Sequence, residues 1–225
     1  MSAPALPSRH DLVRLAPSWR GSLLAPPDPE AFPLLEAWLD RGLPAVACRF
    51  EGAPPPGAVA LGVAFPPATG RRRASLLVPL DAVASVARPL RLAAAAESAP
   101  AGWHDALLDL DERARALGVS LAVYGSLAWQ HLSGDRYLSA ASDVDLLVEP
   151  RSPEELAAAL GLLASRASLR APRLDGEILL PGGLGVPWRE VLAGPRRVLA
   201  KSLSAAALVP LREALGRLAA VEATP

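Results

Sequence analysis

Two short segments decide the fold of this chain: residues 124–130, which read YGSLAWQ, and residues 142–148, which read SDVDLLV. The first begins at the end of an apolar run over 121–124, where Gly125 permits a tight turn and a close backbone approach. Ser126 is a favourable helix N-cap, so we predict a short helix whose free N–H groups face an anion. A Gly-Ser pair alone more often marks an ordinary strand-to-helix turn.

The second segment carries two aspartates two residues apart. Asp143 and Asp145 lie in a run rich in Val and Leu that ends before Pro150, which predicts a strand. Residues two apart on a strand point to the same face, roughly 6–7 Å apart at Cα. Two carboxylates so placed can bind Mg²⁺, which prefers few protein carboxylates together with phosphate oxygens of a substrate. Asp-x-Asp alone is common at solvated strand edges, but its position after the Gly-Ser turn is far more specific.

This order of strand, Gly-Ser turn, helix and Asp-x-Asp strand resembles the nucleotidyltransferase superfamily, which has the polymerase-β-like fold. Further segments, in the same order along nearly the whole chain, are similar to one family within it, the malonate decarboxylase holo-acyl-carrier-protein synthases or phosphoribosyl-dephospho-CoA transferases. Besides the two segments above, they are residues 9–13 (RHDLV), 42–46 (GLPAV), 174–177 (LDGE), 188–192 (WREVL) and 196–201 (RRVLAK).

The resemblance implies a Mg²⁺-dependent enzyme whose substrates are 2′-(5″-triphosphoribosyl)-3′-dephospho-CoA and the apo acyl carrier protein of malonate decarboxylase. A serine hydroxyl of the carrier would attack the phosphorus next to the ribose, and diphosphate would leave. Asp143 and Asp145 would hold the metal, while the Gly125 backbone and Ser126 would cradle the leaving phosphates. Such a site consists of a metal and donors and needs no nucleophile of its own.

A third carboxylate is expected from a strand beside the aspartate pair, again by resemblance. Asp175 and Glu177 alternate on a predicted strand over 173–180, and one of them could orient or deprotonate the attacking hydroxyl. Because Asp-Gly is a strong turn signal, we interpret Asp175 as a turn residue and take Glu177 as the candidate base.

The basic residues near the C-terminus form a second candidate group. Arg196, Arg197 and Lys201 follow a Gly-Pro pair, and the resemblance favours them as phosphate or carrier-protein contacts. Trp129 and Trp188 are predicted to be core residues, with stacking on adenine left open because both lie beside the expected site.

Composition bounds the class of protein. The 225 residues include 23 basic and 23 acidic side chains, and this neutral balance argues against a general nucleic-acid binder. Cys48 is the only cysteine, so no internal disulfide can form. No signal-like N-terminus and no apolar run of about 18 residues is present, so we expect a cytoplasmic protein without a membrane span.

The predicted fold class is mixed α/β, with a small N-terminal α/β module over 1–98 and a nucleotidyltransferase-like domain over 99–225. In the second, a mixed sheet is flanked by helices. The Ala-, Pro- and Gly-containing stretch 93–102 is interpreted as a linker, with the alternative that residues 93–96 end a helix. Periodicity and capping signals predict helices over 30–41, 103–117, 152–168, 188–192 and 211–221. Strands are predicted over 43–50, 59–65, 74–79, 119–124, 143–149 and 173–180.

Two other functions are compatible with the same segments. One is a minimal nucleotidyltransferase that moves AMP from ATP to another protein or to a small molecule. The other is a scaffold that has kept the fold without catalysis. The long N-terminal module argues against the first, and the intact Gly-Ser and Asp-x-Asp segments argue against the second.

Overall fold

The computed structural model describes residues 6–50, 54–70, 72–166 and 172–222. The chain forms two compact units, the first reaching Pro89 and including 203–205, and the second beginning at Leu90. The boundary differs from the expected one after residue 98. Residues 92–96 form a helix whose Ala95 and Ala96 are fully buried in the second unit's core, so the linker interpretation is wrong for these residues and the helix alternative is confirmed. Within the described ranges, no helix is long and apolar enough to cross a bilayer.

In the part of the chain that the structure describes, the first unit is a five-stranded antiparallel sheet with one α-helix and three short 3-10 helices. Its strands follow the spatial order β4-β3-β2-β1-β5, and the apolar side of the helix packs through fully buried Leu35. Gly42 adopts a left-handed φ of 70° just after the helix, as expected of the glycine that ends it. The elements are β1 Leu12–Leu15, α1 Phe32–Asp40, β2 Ala45–Ala47, β3 Ala58–Ala64, β4 Arg73–Pro79 and β5 Val83–Ala87.

The second unit is built on a seven-stranded mixed sheet. Its strands are β6 Leu90–Arg91, β7 Leu121–Tyr124, β8 Asp143–Val148, β9 Arg173–Leu180, β10 Leu184–Pro187, β11 Arg197–Lys201 and β12 Ala206–Pro210. They lie in the order β12-β11-β10-β9-β8-β7-β6, and only β8 and β9 run parallel to each other. The helices are α2 Leu92–Ala96, α3 Ala101–Ala116, α4 Gly125–Ser133, α5 Pro153–Arg166, α6 Trp188–Ala193 and α7 Leu211–Glu222.

Strand alternation separates the two faces of this sheet. On β8, Val144, Leu146 and Val148 are buried in a core shared with the helices. The residues between them, Asp143 and Asp145, therefore point to the opposite face. Because the β8–β9 register pairs Asp145 with Asp175, that face also receives Asp175 and Glu177, and we call it the carboxylate face.

The structure confirms the mixed α/β fold class and the main predicted elements. Helices α1, α3, α5, α6 and α7 and strands β2, β3, β4, β7, β8 and β9 lie where they were expected, within a few residues at each end. The expected end of α5, at 168, lies outside the described residues. The other strands were not predicted because most are short and lack a period-two pattern: β1, β5, β6, β10, β11 and β12.

Candidate functional site

Asp145 lies between two neighbouring strands at the centre of the candidate site. It pairs with Tyr124, the last residue of β7, and with Asp175, the third residue of β9. Asp143 lies two residues earlier on the same face and pairs with Arg173. Both aspartates are half-buried, as expected of residues at the end of a strand whose alternate members fill the core.

The Gly-Ser turn meets the aspartate pair directly. Gly125 has a left-handed φ of 66°, and a Cβ placed there would lie 2.0 Å from Asp145 Oδ2. Only glycine therefore lets the first turn of α4 approach the carboxylate so closely. Two segments that are separated by more than ten residues in the sequence thus form one site.

Ser126 occupies a different helix position from the predicted one. Helix α4 begins at Gly125 with Tyr124 as its N-cap, and no side chain caps it. Ser126 is therefore the second helical residue and not the N-cap, because the left-handed turn at Gly125 starts the helix one residue earlier than expected. Its partly exposed side chain stays at the N-terminal end of α4, where backbone N–H groups can receive an anion.

The interpretation of Asp175 as a turn residue is wrong. Strand β9 continues through Asp175 and Gly176, and the exposed Asp175 side chain lies beside Asp145 in register. Gly176 is needed for packing rather than for a turn, since its φ is 129° and a Cβ there would lie 1.9 Å from the Leu146 carbonyl oxygen. Asp175 is thus a third carboxylate next to the pair.

Glu177 is the next member of the same row on β9. Its side chain is buried, and its Oε1 lies 3.3 Å from Lys201 Nζ on β11. The structure therefore brings together two of the predicted site residues, Glu177 and Lys201, on the carboxylate face. Whether Glu177 acts as the base stays a prediction.

Asp145 has a raised pKa because it is partly buried beside three other carboxylates. Burial, followed by the negative charges of Asp175, Asp143 and Glu177, raises the pKa of Asp145 from 3.8 to about 6. Arg173 donates two hydrogen bonds of 2.5 Å to the two carboxylate oxygens of Asp143. A cation beside Asp145 would relieve the repulsion between this carboxylate and its acidic neighbours.

The donor chemistry of these side chains suits Mg²⁺. Asp143, Asp145 and Asp175 offer hard oxygen ligands on adjacent strands, and a divalent ion would offset the repulsion that raises the Asp145 pKa. Among the residues that the structure describes, no group of three or more His, Cys, Asp or Glu side chains is already arranged as a metal site. Mg²⁺ commonly completes its coordination with substrate phosphate oxygens and water.

Arg196 and Arg197 lie away from the carboxylates. Both are exposed at the start of β11, and Arg197 donates a 2.6 Å hydrogen bond to the Leu208 carbonyl oxygen on β12. Since β11 is three strands from β8, the separation is about 14 Å at the usual strand spacing. The structure does not bring these two arginines to the aspartate pair.

The two tryptophans beside the site are core residues. Trp188 is 1 % exposed and Trp129 is 8 % exposed, so neither presents a ring face on which adenine could stack. The Arg189 guanidinium covers the Trp188 ring at 4.5 Å from its centroid. The core prediction is confirmed, and the stacking alternative is excluded for both.

Sequence reasoning missed two residues that position the site. Arg173 donates a hydrogen bond to Asp143. The alternation of Arg173, Asp175 and Glu177 along one strand could have indicated from the sequence that Arg173 shares a face with the two acidic residues. Gln130 fixes the loop between α4 and β8, because its Oε1 accepts hydrogen bonds of 2.9 Å from the backbone N–H groups of Tyr137 and Leu138. A glutamine has no periodic signal of this kind, so Gln130 could not be found from the sequence.

Comparison with known proteins gives the family. The profile described as the phosphoribosyl-dephospho-CoA transferase MdcG C-terminal domain matches residues 90–212, and that of the MdcG N-terminal domain matches residues 8–89. The chain belongs to the phosphoribosyl-dephospho-CoA transferase family. It is therefore a transferase, and the two family domains meet at the same boundary as the two compact units.

Curated relatives of the same name cover most of the chain. A phosphoribosyl-dephospho-CoA transferase of Bradyrhizobium diazoefficiens is 41 % identical over 204 residues, 90 % of each chain. One of Xanthomonas campestris pv. campestris is 40 % identical over 90 % of this chain and 93 % of its own. One of Pseudomonas aeruginosa is 34 % identical over 83 % of this chain and 86 % of its own. No solved structure gives a significant match.

Proposed function

We propose that this protein transfers the phosphoribosyl-dephospho-CoA group from 2′-(5″-triphosphoribosyl)-3′-dephospho-CoA to a serine of the malonate decarboxylase acyl carrier protein. Family membership supports the transferred group. The observation that carries the chemistry is the contact between the Gly125 turn and Asp145, because it joins a phosphate-binding helix end to a carboxylate pair. A site of this composition serves phosphoryl or nucleotidyl transfer.

Mg²⁺ is the metal we propose for this site. Asp143 and Asp145 would hold it, with Asp175 beside them, and the ion would offset negative charge on the phosphates and polarise the reacting phosphorus. Arg173 would have to yield part of its contact with Asp143 when that carboxylate turns to the ion. At the same end of β7, the Gly125 N–H and the Ser126 hydroxyl would hold the leaving phosphates.

The reaction makes one phosphorus–oxygen bond and breaks another. The serine oxygen of the carrier attacks the phosphorus next to the ribose, the bond from that phosphorus to the diphosphate breaks, and diphosphate leaves with the electron pair. The serine proton passes to a carboxylate of the site. Two carboxylates are candidates for this step, the predicted Glu177 and the exposed Asp175.

Asp175 is the better placed of the two candidates. It is exposed and in register with Asp145, whereas Glu177 is buried and bonded to Lys201. Comparing Asp175→Asn with Glu177→Gln separates them. In the wild-type protein, protonation of the base lowers the rate at low pH. The variant in which this fall in rate disappears, while it persists in the other variant, identifies the base.

Intact-mass spectrometry of the carrier subunit tests the proposed function. The apo carrier is incubated with this protein, Mg²⁺ and the triphosphoribosyl donor, with ATP as donor in a parallel reaction. We expect a mass gain equal to the phosphoribosyl-dephospho-CoA group, abolished by EDTA and by Asp145→Asn. Asp105→Asn is the matched control, because the Asp105 side chain is fully exposed on α3.

Each other result points to a different function. A gain of AMP with ATP alone would identify a nucleotidyltransferase of another specificity. No gain with either donor, together with no Mg²⁺-dependent binding of the triphosphate, would identify a scaffold. Transfer that survives EDTA and Asp145→Asn would overturn the metal assignment while leaving the transferred group established.

A further inference from the structure

Arg173 engages both oxygens of Asp143, one of the two residues that would hold the metal. It lies opposite Asp143 in the parallel register of β8 and β9. Its Nε and Nη2 donate hydrogen bonds of 2.5 Å to Asp143 Oδ1 and Oδ2, respectively. The proposed function requires Asp143 as a ligand, so this two-pronged contact has to open at least in part when the carboxylate turns to a metal ion.

Arg173 is the partner that can move when the contact opens. Its side chain is 71 % exposed, whereas that of Asp143 is 25 % exposed. Asp143 is short and lies on a strand whose alternate residues fill the core, while an exposed arginine changes rotamer readily. The guanidinium can therefore leave Asp143 without any rearrangement of the sheet.

A phosphoryl group is a chemically equivalent partner for the released guanidinium. The donor fork of arginine matches a carboxylate and a phosphate in the same two-pronged geometry, so Asp143 now stands where phosphoryl oxygens would fit. The hydrogen bonds to Asp143, and the charges of Asp143 and Asp175, raise the pKa of Arg173, which is therefore always cationic. A triphosphate bound to this acidic face needs such a cation, because Lys201 is already paired with Glu177 at 3.3 Å.

The strand registers place Arg173 beside the phosphorus that is attacked. Tyr124 on β7 and Asp175 on β9 lie on opposite sides of Asp145. The leaving diphosphate would lie on the β7 side, where Gly125 and Ser126 follow Tyr124. In an in-line displacement the attacking oxygen approaches from the other side, which is that of β9. The transferred phosphoryl group then lies over β8, about one strand spacing of 4.8 Å from the backbone of β9.

We propose that Arg173 binds the phosphoryl group that is transferred, and that Asp143 holds this arginine while no donor is bound. The inference rests on the proposed function, which places the reacting phosphorus at the aspartate pair. The guanidinium exchanges two carboxylate oxygens for two nonbridging oxygens of the donor, so its charged hydrogen bonds are kept. Negative charge on those oxygens is stabilised in the transition state, which makes Arg173 a catalytic residue of the transfer.

Two binding measurements without the carrier protein test this role, because no transfer occurs in its absence. Calorimetry in saturating Mg²⁺ gives the Kd of the triphosphoribosyl donor and, separately, of inorganic triphosphate. The rise of the thermal midpoint with Mg²⁺ concentration, measured without either ligand, gives the affinity for the metal alone.

The two affinities are expected to change in opposite directions in Arg173→Ala. The Kd of both phosphate ligands should rise about 10-fold or more, because two charged hydrogen bonds are lost. Mg²⁺ alone should bind about threefold to tenfold more tightly, since the cation that competes for Asp143 is gone. Arg173→Lys keeps the charge without the fork, and its Kd for triphosphate should lie between those of the wild type and Arg173→Ala.

Arg151→Ala is the matched control. Arg151 pairs with Glu155, and the two side chains are 80 % and 20 % exposed, close to the values of the Arg173–Asp143 pair. Arg151 follows the C-terminal end of β8, whereas Asp143 begins this strand. We expect Arg151→Ala to leave both affinities unchanged.

Each other outcome overturns a defined part of the argument. An unchanged triphosphate Kd in Arg173→Ala would show that Arg173 only neutralises the carboxylate face. Weaker binding of both triphosphate and Mg²⁺ alone would make Arg173 a positioning residue for Asp143 and overturn the phosphoryl contact. If Arg173→Ala does not fold, a wild-type triphosphate Kd in Arg173→Lys overturns the two-pronged contact. A wild-type protein that binds inorganic triphosphate but not the triphosphoribosyl donor overturns the proposed function, while the triphosphate measurement still tests Arg173.

Discussion

Asp145 combines a half-buried position with three neighbouring carboxylates. Its pKa of about 6 means that the folded state disfavours the ionised form relative to the unfolded chain, where the pKa is 3.8. The resulting destabilisation is absent below pH 3.8, grows as the pH rises to about 6 and is constant above that. At about 1.36 kcal/mol for each unit of pKa, the cost at neutral pH is roughly 2–3 kcal/mol.

We therefore predict that Asp145→Asn raises the free energy of unfolding at pH 7.5 but not at pH 3.5, while transfer is lost. Urea denaturation at the two pH values measures the difference. Mg²⁺ should raise the stability of the wild-type protein at pH 7.5 and leave the variant unaffected, because the ion binds the folded carboxylates. Equal stabilisation of both proteins by Mg²⁺ would contradict the assignment of Asp145 as a ligand.

Gly125 is the residue at which any side chain would collide with Asp145. We predict that Gly125→Ala displaces the Asp145 carboxylate, since the new Cβ would lie 2.0 Å from Oδ2, and lowers the transfer rate about 100-fold or more. Gly134→Ala is the control, because Gly134 has a similar φ of 76° at the end of α4 but its added methyl group would meet nothing within 4 Å. If the transfer rate falls equally in the two variants, backbone strain and not the collision with Asp145 is responsible. An unchanged rate in Gly125→Ala would contradict the prediction.

At the scale of elements, the parallel pair β8–β9 positions most of the candidate site. Four of its side chains, Asp143, Asp145, Asp175 and Glu177, lie on the carboxylate face, and the close approach of the two backbones requires Gly176. The polar residues are placed by the same register that buries Val144, Leu146 and Ile178 on the other face. A slip of either strand by one residue would move the carboxylates of that strand to the core face.

Gly176→Ala is predicted to be strongly destabilising, by about 4 kcal/mol or more, because its Cβ would meet backbone atoms of Leu146 that cannot move independently. Denaturant unfolding provides the measurement. In Gly161→Ala, on α5, the added methyl group meets nothing within 4 Å, and we expect it to stabilise the protein by about 0.5–1 kcal/mol. Similar unfolding free energies for the two variants would contradict the proposed close approach.

At the scale of the whole molecule, a neutral chain contains a strongly basic segment. Residues 194–217 carry five of the 23 basic side chains and one of the 23 acidic ones, so the remainder of the chain is net acidic. Such an asymmetry orients an acidic partner during encounter more than it adds affinity. The first unit, with its own antiparallel sheet, lies outside this segment apart from 203–205.

The apparent second-order rate constant for modification of an acidic carrier is predicted to fall severalfold as the salt concentration rises from about 0.02 to 0.3 M. Measuring kcat/KM for the carrier across this range tests the prediction. The KM for the donor is measured over the same salt range. A change in the donor KM would report that salt weakens binding of the triphosphate, and not only the encounter with the carrier. A rate constant for the carrier that stays level or rises with salt would argue against electrostatic steering.

The sequence by itself determined the elements whose signals are local. The glycine and serine of YGSLAWQ, the alternating SDVDLLV and the Ser152-Pro153 helix start each fix a turn, a strand or a helix within a few residues. Ser152 does accept a hydrogen bond of 3.2 Å from the Glu155 N–H, as expected of an N-cap. The family resemblance, carried by ordered motifs, also came from the sequence alone.

Only the tertiary structure decided which of these elements meet. The parallel register of β8 and β9 made Asp175 a site residue, although its Asp-Gly pair indicated a turn. The same structure placed Arg196 and Arg197 at a distant strand and moved the domain boundary to Leu90. Local propensity fixes the conformation of a segment, but strand order and register depend on hydrogen bonds and packing between residues far apart in the chain, which no local pattern encodes.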